Sequence, residues 1–100
     1  MSDKYILDEN GQPVPCDDLF TWGRWMETAK RSVQTDRIGD IRVSTVFLGL
    51  DHSFIEGGAP ILFETMIFGG EHDGYQDRYT SREEALAGHV RALALVQAQG

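Results

Sequence analysis

The amino-acid sequence predicts an α+β fold: a two-layer sandwich in which an antiparallel four-stranded β-meander is flanked in sequence by two helices packed on one face, with a short N-terminal hairpin or arm. Apolar and polar residues alternate along short stretches between residues 33 and 79, which is the period of a half-buried strand. Apolar residues at helical spacing precede and follow these stretches. One hundred residues with 41% hydrophobic content can bury one core, so we expect a single domain over residues 1–100.

The N-terminal hairpin or arm is predicted over residues 1–16. Apolar residues stand on both sides of Asn10-Gly11, a dipeptide that tolerates the positive φ angles of a tight hairpin turn. The pattern therefore favours two short strands that pair around this turn.

The first helix is predicted over residues 17–31, with one apolar face. Its apolar side chains recur at spacings of three and four residues at Leu19, Trp22, Met26 and Ala29. Asp17 or Asp18 is placed to accept hydrogen bonds from the first turn. Lys30 and Arg31 would lie favourably at the negative end of the helix dipole.

The sheet is predicted over residues 33–79. Its strands are expected at residues 33–37, 41–50, 61–68 and 75–79. Glycine-containing turns separate the first two strands and the last two, at Gly39-Asp40 and Asp73-Gly74. The second strand reads as central and the polar last strand as an edge.

The second helix is predicted over residues 82–98. Ser81 and Glu84 have the spacing of a capping box, in which each side chain satisfies a backbone donor near the other. The expected buried stripe consists of Leu86, Val90 and Leu93, joined by Ala85, Ala92 and Val96.

The net charge of −7 makes direct nucleic-acid binding an unfavourable hypothesis, because phosphate contacts require clustered lysine and arginine. Residues 51–84 carry eight acidic residues and two arginines. An acidic field of this kind influences partner choice and association rate. Six of these residues form a candidate partner-binding acidic strip: Asp51, Glu56, Glu71, Asp73, Asp77 and Glu83.

The sheet face turned away from the helices is a second candidate surface. It is predicted to carry apolar residues that would form a homodimer face: Val46, Leu48, Leu62, Met66 and Phe68. The N-terminal arm, a second copy of the chain or another protein would cover it. Glu64, on the same face, is expected at its rim or paired with Arg42.

The residues that could carry chemistry are few. Cys16 is the single cysteine and precedes two aspartates, an environment that does not activate a thiol. His52 and His72 stand beside carboxylates, but the predicted meander places their loops at opposite ends of one strand. We therefore expect no catalytic residue, no metal site, no cofactor and no enzymatic activity.

The loop GLDHSFIEGGAP, residues 49–60, is predicted to join the second and third strands. Phe54 and Ile55 are expected to fold back on the core, and Gly57-Gly58 supplies permissive backbone. A recognition loop is the alternative interpretation.

The sequence predicts a cytoplasmic protein without a membrane segment. Its longest apolar runs are far shorter than the ~20 residues that cross a bilayer, and the N-terminus lacks the pattern of a signal peptide.

Four stretches carry a resemblance to a known group of proteins. LFTWGRWMETAKR, IRVSTVFLGLDHSF, PILFETMIFGG and RYTSREEALAGHV cover most of residues 17–90. They resemble segments of short uncharacterised proteins of bacteriophages and prophages. The resemblance implies a viral setting, with the host cytoplasm as the location, and no catalytic residues.

Three hypotheses of function follow. The first is a small acidic phage-type accessory protein that binds a host or phage protein, as an anti-defence or host-takeover inhibitor acting through its acidic surface. The second is a structural or assembly homodimer without an inhibitory role. The third, a small metal-dependent enzyme, is disfavoured by the histidine spacing.

Overall fold

The computed structural model describes residues 3–53 and 57–99 and has the predicted α+β architecture. Two helices pack on a four-stranded antiparallel sheet, and a two-stranded hairpin precedes them. The elements in chain order are β1 (Tyr5–Leu7), β2 (Pro13–Pro15), α1 (Leu19–Thr28), β3 (Ser32–Ile38), β4 (Ile41–Phe47), β5 (Phe63–Phe68), β6 (Gln76–Tyr79) and α2 (Arg82–Gln99).

The sheet is the predicted meander, with strand order β3-β4-β5-β6 and antiparallel pairing throughout. The prediction that the last strand is an edge is confirmed. The turn between β3 and β4 depends on Gly39, whose φ of 59° lies in the left-handed region that glycine adopts without strain. Because the connections are hairpins, residues two apart along each strand point to the same face of the sheet.

The second helix covers one face of the sheet and closes the core. Val43, Phe47, Phe63 and Ile67 point towards α2 and are fully buried. One half of the predicted capping box is present at the N-terminus of α2, because the Ser81 hydroxyl accepts a hydrogen bond from the Glu84 N–H at 3.1 Å. The Glu84 carboxylate accepts from the hydroxyls of Thr80 and Ser81.

The buried stripe of α2 differs from the predicted one. Leu86 and Val90 are exposed, by 38% and 62%, so their assignment to the core is wrong. The side that meets the sheet is formed by Ala85, Gly88, His89, Ala92 and Val96. These mostly small residues let the helix backbone approach the strands more closely than a stripe of leucines would.

The first helix is shorter than predicted and begins at its expected cap. The Asp18 carboxylate accepts hydrogen bonds from the N–H groups of Phe20 and Thr21, which lower the pKa of Asp18. The helix ends at Thr28, so Lys30 and Arg31 lie beyond the last turn rather than in it.

The hairpin and α1 lie at one end of the sheet. The Trp22 indole N–H donates to the Gly49 carbonyl at 3.1 Å, and the Tyr5 N–H donates to the same oxygen at 2.9 Å. Trp25 packs edge-on against Phe47 with ring centroids 5.8 Å apart. Tyr5 and Leu7 of β1 pack against the core cluster that contains Phe47 and Phe63, whose side chains point towards α2. In the described part of the chain, the arm therefore lies against the α2 side of the sheet rather than over the opposite face.

Within residues 3–53 and 57–99, no helix has the length and apolar character of a membrane span.

Candidate binding surface

The sheet face turned away from α2 has no other described helix or strand packed on it; we call it the open face. It is continuous across all four strands because neighbouring residues pair directly in the antiparallel register. The residues of the open face are Thr35, Arg37, Arg42, Ser44, Val46, Glu64, Met66, Phe68, Gln76 and Arg78.

A row of two arginines and a phenylalanine crosses one end of the open face. Arg37 and Arg42 are Cα partners on β3 and β4, and Phe68 is the partner of Arg42 on β5. The Arg42 guanidinium carbon lies 4.3 Å from the centre of the Phe68 ring, a cation–π contact. Neither arginine forms an ion pair with a described carboxylate.

This arrangement costs stability in the free protein. Like charges directly opposite each other on neighbouring strands repel. The contact between Arg42 and Phe68 offsets part of the repulsion, but no described carboxylate neutralises either arginine.

A second row of the open face contains its one carboxylate. Glu64 accepts a hydrogen bond from Arg78 Nε at 2.9 Å and another from the Gln76 amide, both on the neighbouring strand β6. The expected pair with Arg42 is wrong. Glu64 reaches β6 because the antiparallel register places Arg78 directly opposite it.

The apolar part of the open face is smaller than the sequence indicates. Val46, Leu48 and Met66 are half-buried, and Phe68 is 38% exposed. Leu62 is only 1% exposed and packs in the core cluster with Phe47 and Phe63. Its predicted place on an exposed dimer face is therefore wrong.

The open face has a charge opposite in sign to that of the whole chain. It carries Arg37, Arg42 and Arg78 against Glu64, a net charge of about +2, whereas the chain carries −7. The sequence hides this contrast because the three arginines come from three different strands.

The described residues of the predicted acidic strip lie apart. Consecutive hairpin loops lie at opposite ends of their shared strand, so Asp51 stands at one end of β5 and Glu71 and Asp73 at the other. The six residues of β5 separate the two ends by about 20 Å. Glu83 begins α2 at the Asp51 end, where its carboxylate accepts a hydrogen bond from Gln12 at 3.0 Å.

Several of these carboxylates already have local partners. Asp51 accepts from the N–H groups of Ser53 and Ile61, at 2.8 and 2.9 Å, and so holds its loop together. Asp73 accepts from the Gly69 N–H at 2.7 Å within its turn. Asp77 lies on the α2 side of β6, 3.9 Å from Arg91. Glu56, Phe54 and Ile55 lie outside the described residues.

A chain of hydrogen-bonded side chains runs through the core beneath α2. Asp36 Oδ2 lies 2.7 Å from His89 Nε2, and His89 Nδ1 lies 2.7 Å from the Thr45 hydroxyl. The Thr45 hydroxyl also contacts that of Thr65, and Gln34 donates to Asp36 at 2.9 Å. Both ring nitrogens of His89 therefore have partners, which makes its complete burial tolerable.

The order aspartate, histidine, threonine is also that of a nucleophile with its base and orienting acid. Here Thr45, Thr65 and His89 are all 0% exposed, so no substrate reaches the hydroxyl in this structure. The hydrogen bond from His89 lowers the pKa of Asp36, with a further contribution from Gln34. The arrangement connects α2 to β3, β4 and β5, and we interpret it as structural.

This chain of hydrogen bonds was not predicted from the sequence, in which His52 and His72, but not His89, stood out as candidates. A signal was present: Ala85, Gly88, His89, Ala92 and Val96 recur at helical spacing and are mostly small. Thr45 and Thr65 stand on otherwise apolar strand faces, where each hydroxyl needs a partner.

The remaining candidates for chemistry do not converge. The His52 ring donates from Nδ1 to the Leu50 carbonyl at 2.8 Å, at the end of the sheet opposite His72. Cys16 is half-buried beside α1. Among residues 3–53 and 57–99, no group of three histidine, cysteine, aspartate or glutamate side chains is placed to hold a metal ion.

Comparisons with protein families, with curated proteins and with solved structures give no match to this chain.

Proposed function

We propose that this protein is a small phage-type accessory protein that acts by binding another protein, and that the open face is its contact surface. The observation that carries the proposal is the row formed by Arg37, Arg42 and Phe68: two arginines without an ion pair to any described carboxylate, beside a partly exposed phenylalanine. Arginine and aromatic residues dominate the energetics of protein interfaces.

The flat geometry of the open face supports this role. Half-buried Val46 and Met66 lie on the two central strands, beside Ser44 and Glu64. Apolar and polar side chains are therefore mixed across this face, as they are in many interfaces between proteins that also exist apart.

The open face is a better contact surface than the predicted acidic strip. Asp51 and Glu83 lie at one end of the sheet and Glu71 and Asp73 at the other, and Asp51 and Asp73 hold their own loops. An inhibitor that fills a basic groove needs a continuous field of one sign. The anti-defence role through an acidic surface therefore has less geometric support than binding through the open face.

Site-specific photo-crosslinking tests the proposal. A photoreactive phenylalanine analogue replaces Phe68 on the open face or, as the matched control, Phe20, which is 78% exposed on α1. In a lysate of phage-infected bacteria, position 68 is expected to crosslink to one protein and position 20 is not. Mass spectrometry identifies the attached protein and segment.

Two results would contradict the proposal. Crosslinks from position 20 alone would move the contact surface to α1. Crosslinks from position 68 only to a second copy of the chain would favour the assembly homodimer, which the exposed Phe68 and Met66 would then join.

A further inference from the structure

We infer that the partner segment carries a carboxylate side chain that sits at Arg37 and Arg42 and an apolar side chain that packs on Met66 and Phe68. The inference rests on the proposed function and names the chemistry of the partner. It follows from the charge and spacing of this row rather than from the sheet as a whole.

The two arginines select for a carboxylate. Their backbones are directly opposite on β3 and β4, so both side chains leave the sheet on the open face, and the Arg42 guanidinium lies over the Phe68 ring. Guanidinium groups bind carboxylates through paired, charge-assisted hydrogen bonds. A carboxylate placed there removes the repulsion between Arg37 and Arg42 as well as forming new contacts.

The neighbouring residues select for an apolar group one strand away. Met66 and Phe68 lie two apart on β5, and therefore side by side on the open face. Phe68 is 38% exposed although Arg42 already stacks on its ring. An extended segment that crosses the strands would meet the arginine pair first and these two residues next.

The same face is poorly suited to a nucleic acid. A single strand needs several aromatic surfaces on which its bases stack, and Phe68 is the one aromatic side chain among the open-face residues. The half-buried Glu64 lies beside Met66 in the path of a phosphate backbone. The chain charge of −7 adds a repulsion that grows with the charge of the polyanion.

Titration of the isotope-labelled full chain with a short synthetic peptide, followed by NMR, tests the inference. The probe alternates glutamate and valine, so that an extended conformation presents carboxylates on one side. Shifts are expected at Arg37, Arg42, Met66 and Phe68. The counterpart that alternates glutamine and valine should bind about tenfold more weakly.

A matched pair of charge reversals localises the effect. Arg37→Glu removes one exposed arginine of the pair, and Arg24→Glu makes the same charge change at an exposed position of α1. Arg37→Glu should weaken glutamate-peptide binding about tenfold, whereas Arg24→Glu should leave it nearly unchanged.

Four results would overturn the inference. They are no shift at high peptide concentration, equal binding of the glutamine peptide, tighter binding of an oligothymidylate to the same residues, and shifts that follow protein concentration without peptide. If position 68 crosslinks to a protein but the glutamate peptide does not bind, the proposed function stands and the inference fails. If both experiments are negative, both fail.

Discussion

At the scale of single residues, His89 is the side chain whose role is least visible in the sequence. It is 0% exposed, and its two ring nitrogens meet Asp36 and Thr45. A buried polar group without partners costs far more than a satisfied one gains. His89 therefore fixes the position of α2 over β3 and β4. Substitutions of His89 and of its hydrogen-bond partners should have coupled effects on the free energy of unfolding.

A double-mutant cycle on His89 and Thr45 tests this coupling. Either Thr45→Val or His89→Leu alone should lower the free energy of unfolding by about 1–3 kcal/mol, because each leaves a buried polar atom without its partner. The double variant should lose at least about 0.5 kcal/mol less than the sum. Denaturant titration measures all four proteins.

Thr35→Val is the control for this cycle. Thr35 is exposed on the open face, so its replacement should change the stability by less than about 0.5 kcal/mol. Strictly additive losses at Thr45 and His89 would contradict an energetic connection between them.

At the scale of elements, the decisive contact is between α2 and β6. The ring of Tyr79 lies directly against Gly88, so that a methyl group built at this glycine would overlap the phenol ring. Burial raises the pKa of the Tyr79 hydroxyl, with Asp77 adding to the rise. Gly88 is therefore required by packing and not by the backbone conformation of the helix.

Two alanine substitutions separate packing from helix propensity. Gly88→Ala should lower the free energy of unfolding by about 1–3 kcal/mol, because Tyr79 has to move. In α1, the methyl group added by Gly23→Ala contacts no other atoms, so this substitution should raise the free energy of unfolding by about 0.5–1 kcal/mol. Thermal and denaturant unfolding measure both. Stabilisation by Gly88→Ala would show that α2 does not pack against Tyr79 as described.

At the scale of the whole molecule, ionised carboxylates with hydrogen-bond donors favour the folded state. The pKa of Asp36 lies below its ordinary value of 3.8 because of His89, and that of Asp18 is lowered by backbone N–H groups. The Thr80 and Ser81 hydroxyls likewise lower the pKa of Glu84. Such groups stabilise the fold above their ordinary pKa, and this contribution is lost as the pH falls through their lower folded values.

Asp36→Asn isolates one of these contributions. At neutral pH the variant should have a lower free energy of unfolding than the wild type. This difference should narrow below pH 3.8, because the wild-type carboxyl takes up its proton. Unfolding free energies from neutral to strongly acidic pH measure the difference. Asp40→Asn, at an exposed turn residue, is the control. Its difference in unfolding free energy from the wild type should change little over this pH range. A difference for Asp36→Asn that is constant over this range would contradict the assignment.

Much of the fold could be predicted because its signals are local. Alternation assigned the faces of β4 and β5, since side chains two apart on a strand point the same way. The turns at Asn10-Gly11 and Gly39 and the caps at Asp18 and Ser81 depend on residues within one turn of each other. These local interactions form independently of the elements that pack against them.

The surface, by contrast, was predicted only in part. Val46, Met66 and Phe68 were placed on the correct side of the sheet, whereas Leu62 was not, because its burial depends on the core at the hairpin end. The acidic residues are close in sequence yet divided by the length of β5. Arg78 is distant in sequence from Arg37 and Arg42 yet shares one face of the sheet with them.

The sequence by itself therefore determined the elements, their order, the meander and the two faces of each central strand. Only the tertiary structure decided that α2 presents Gly88 and His89 rather than Leu86 and Val90, that Glu64 pairs with Arg78, and that the open face is positive. The physical reason is that periodicity shows which sides of a helix or strand are apolar enough to be buried. The side chains of the element packed against it then decide which of these sides is buried.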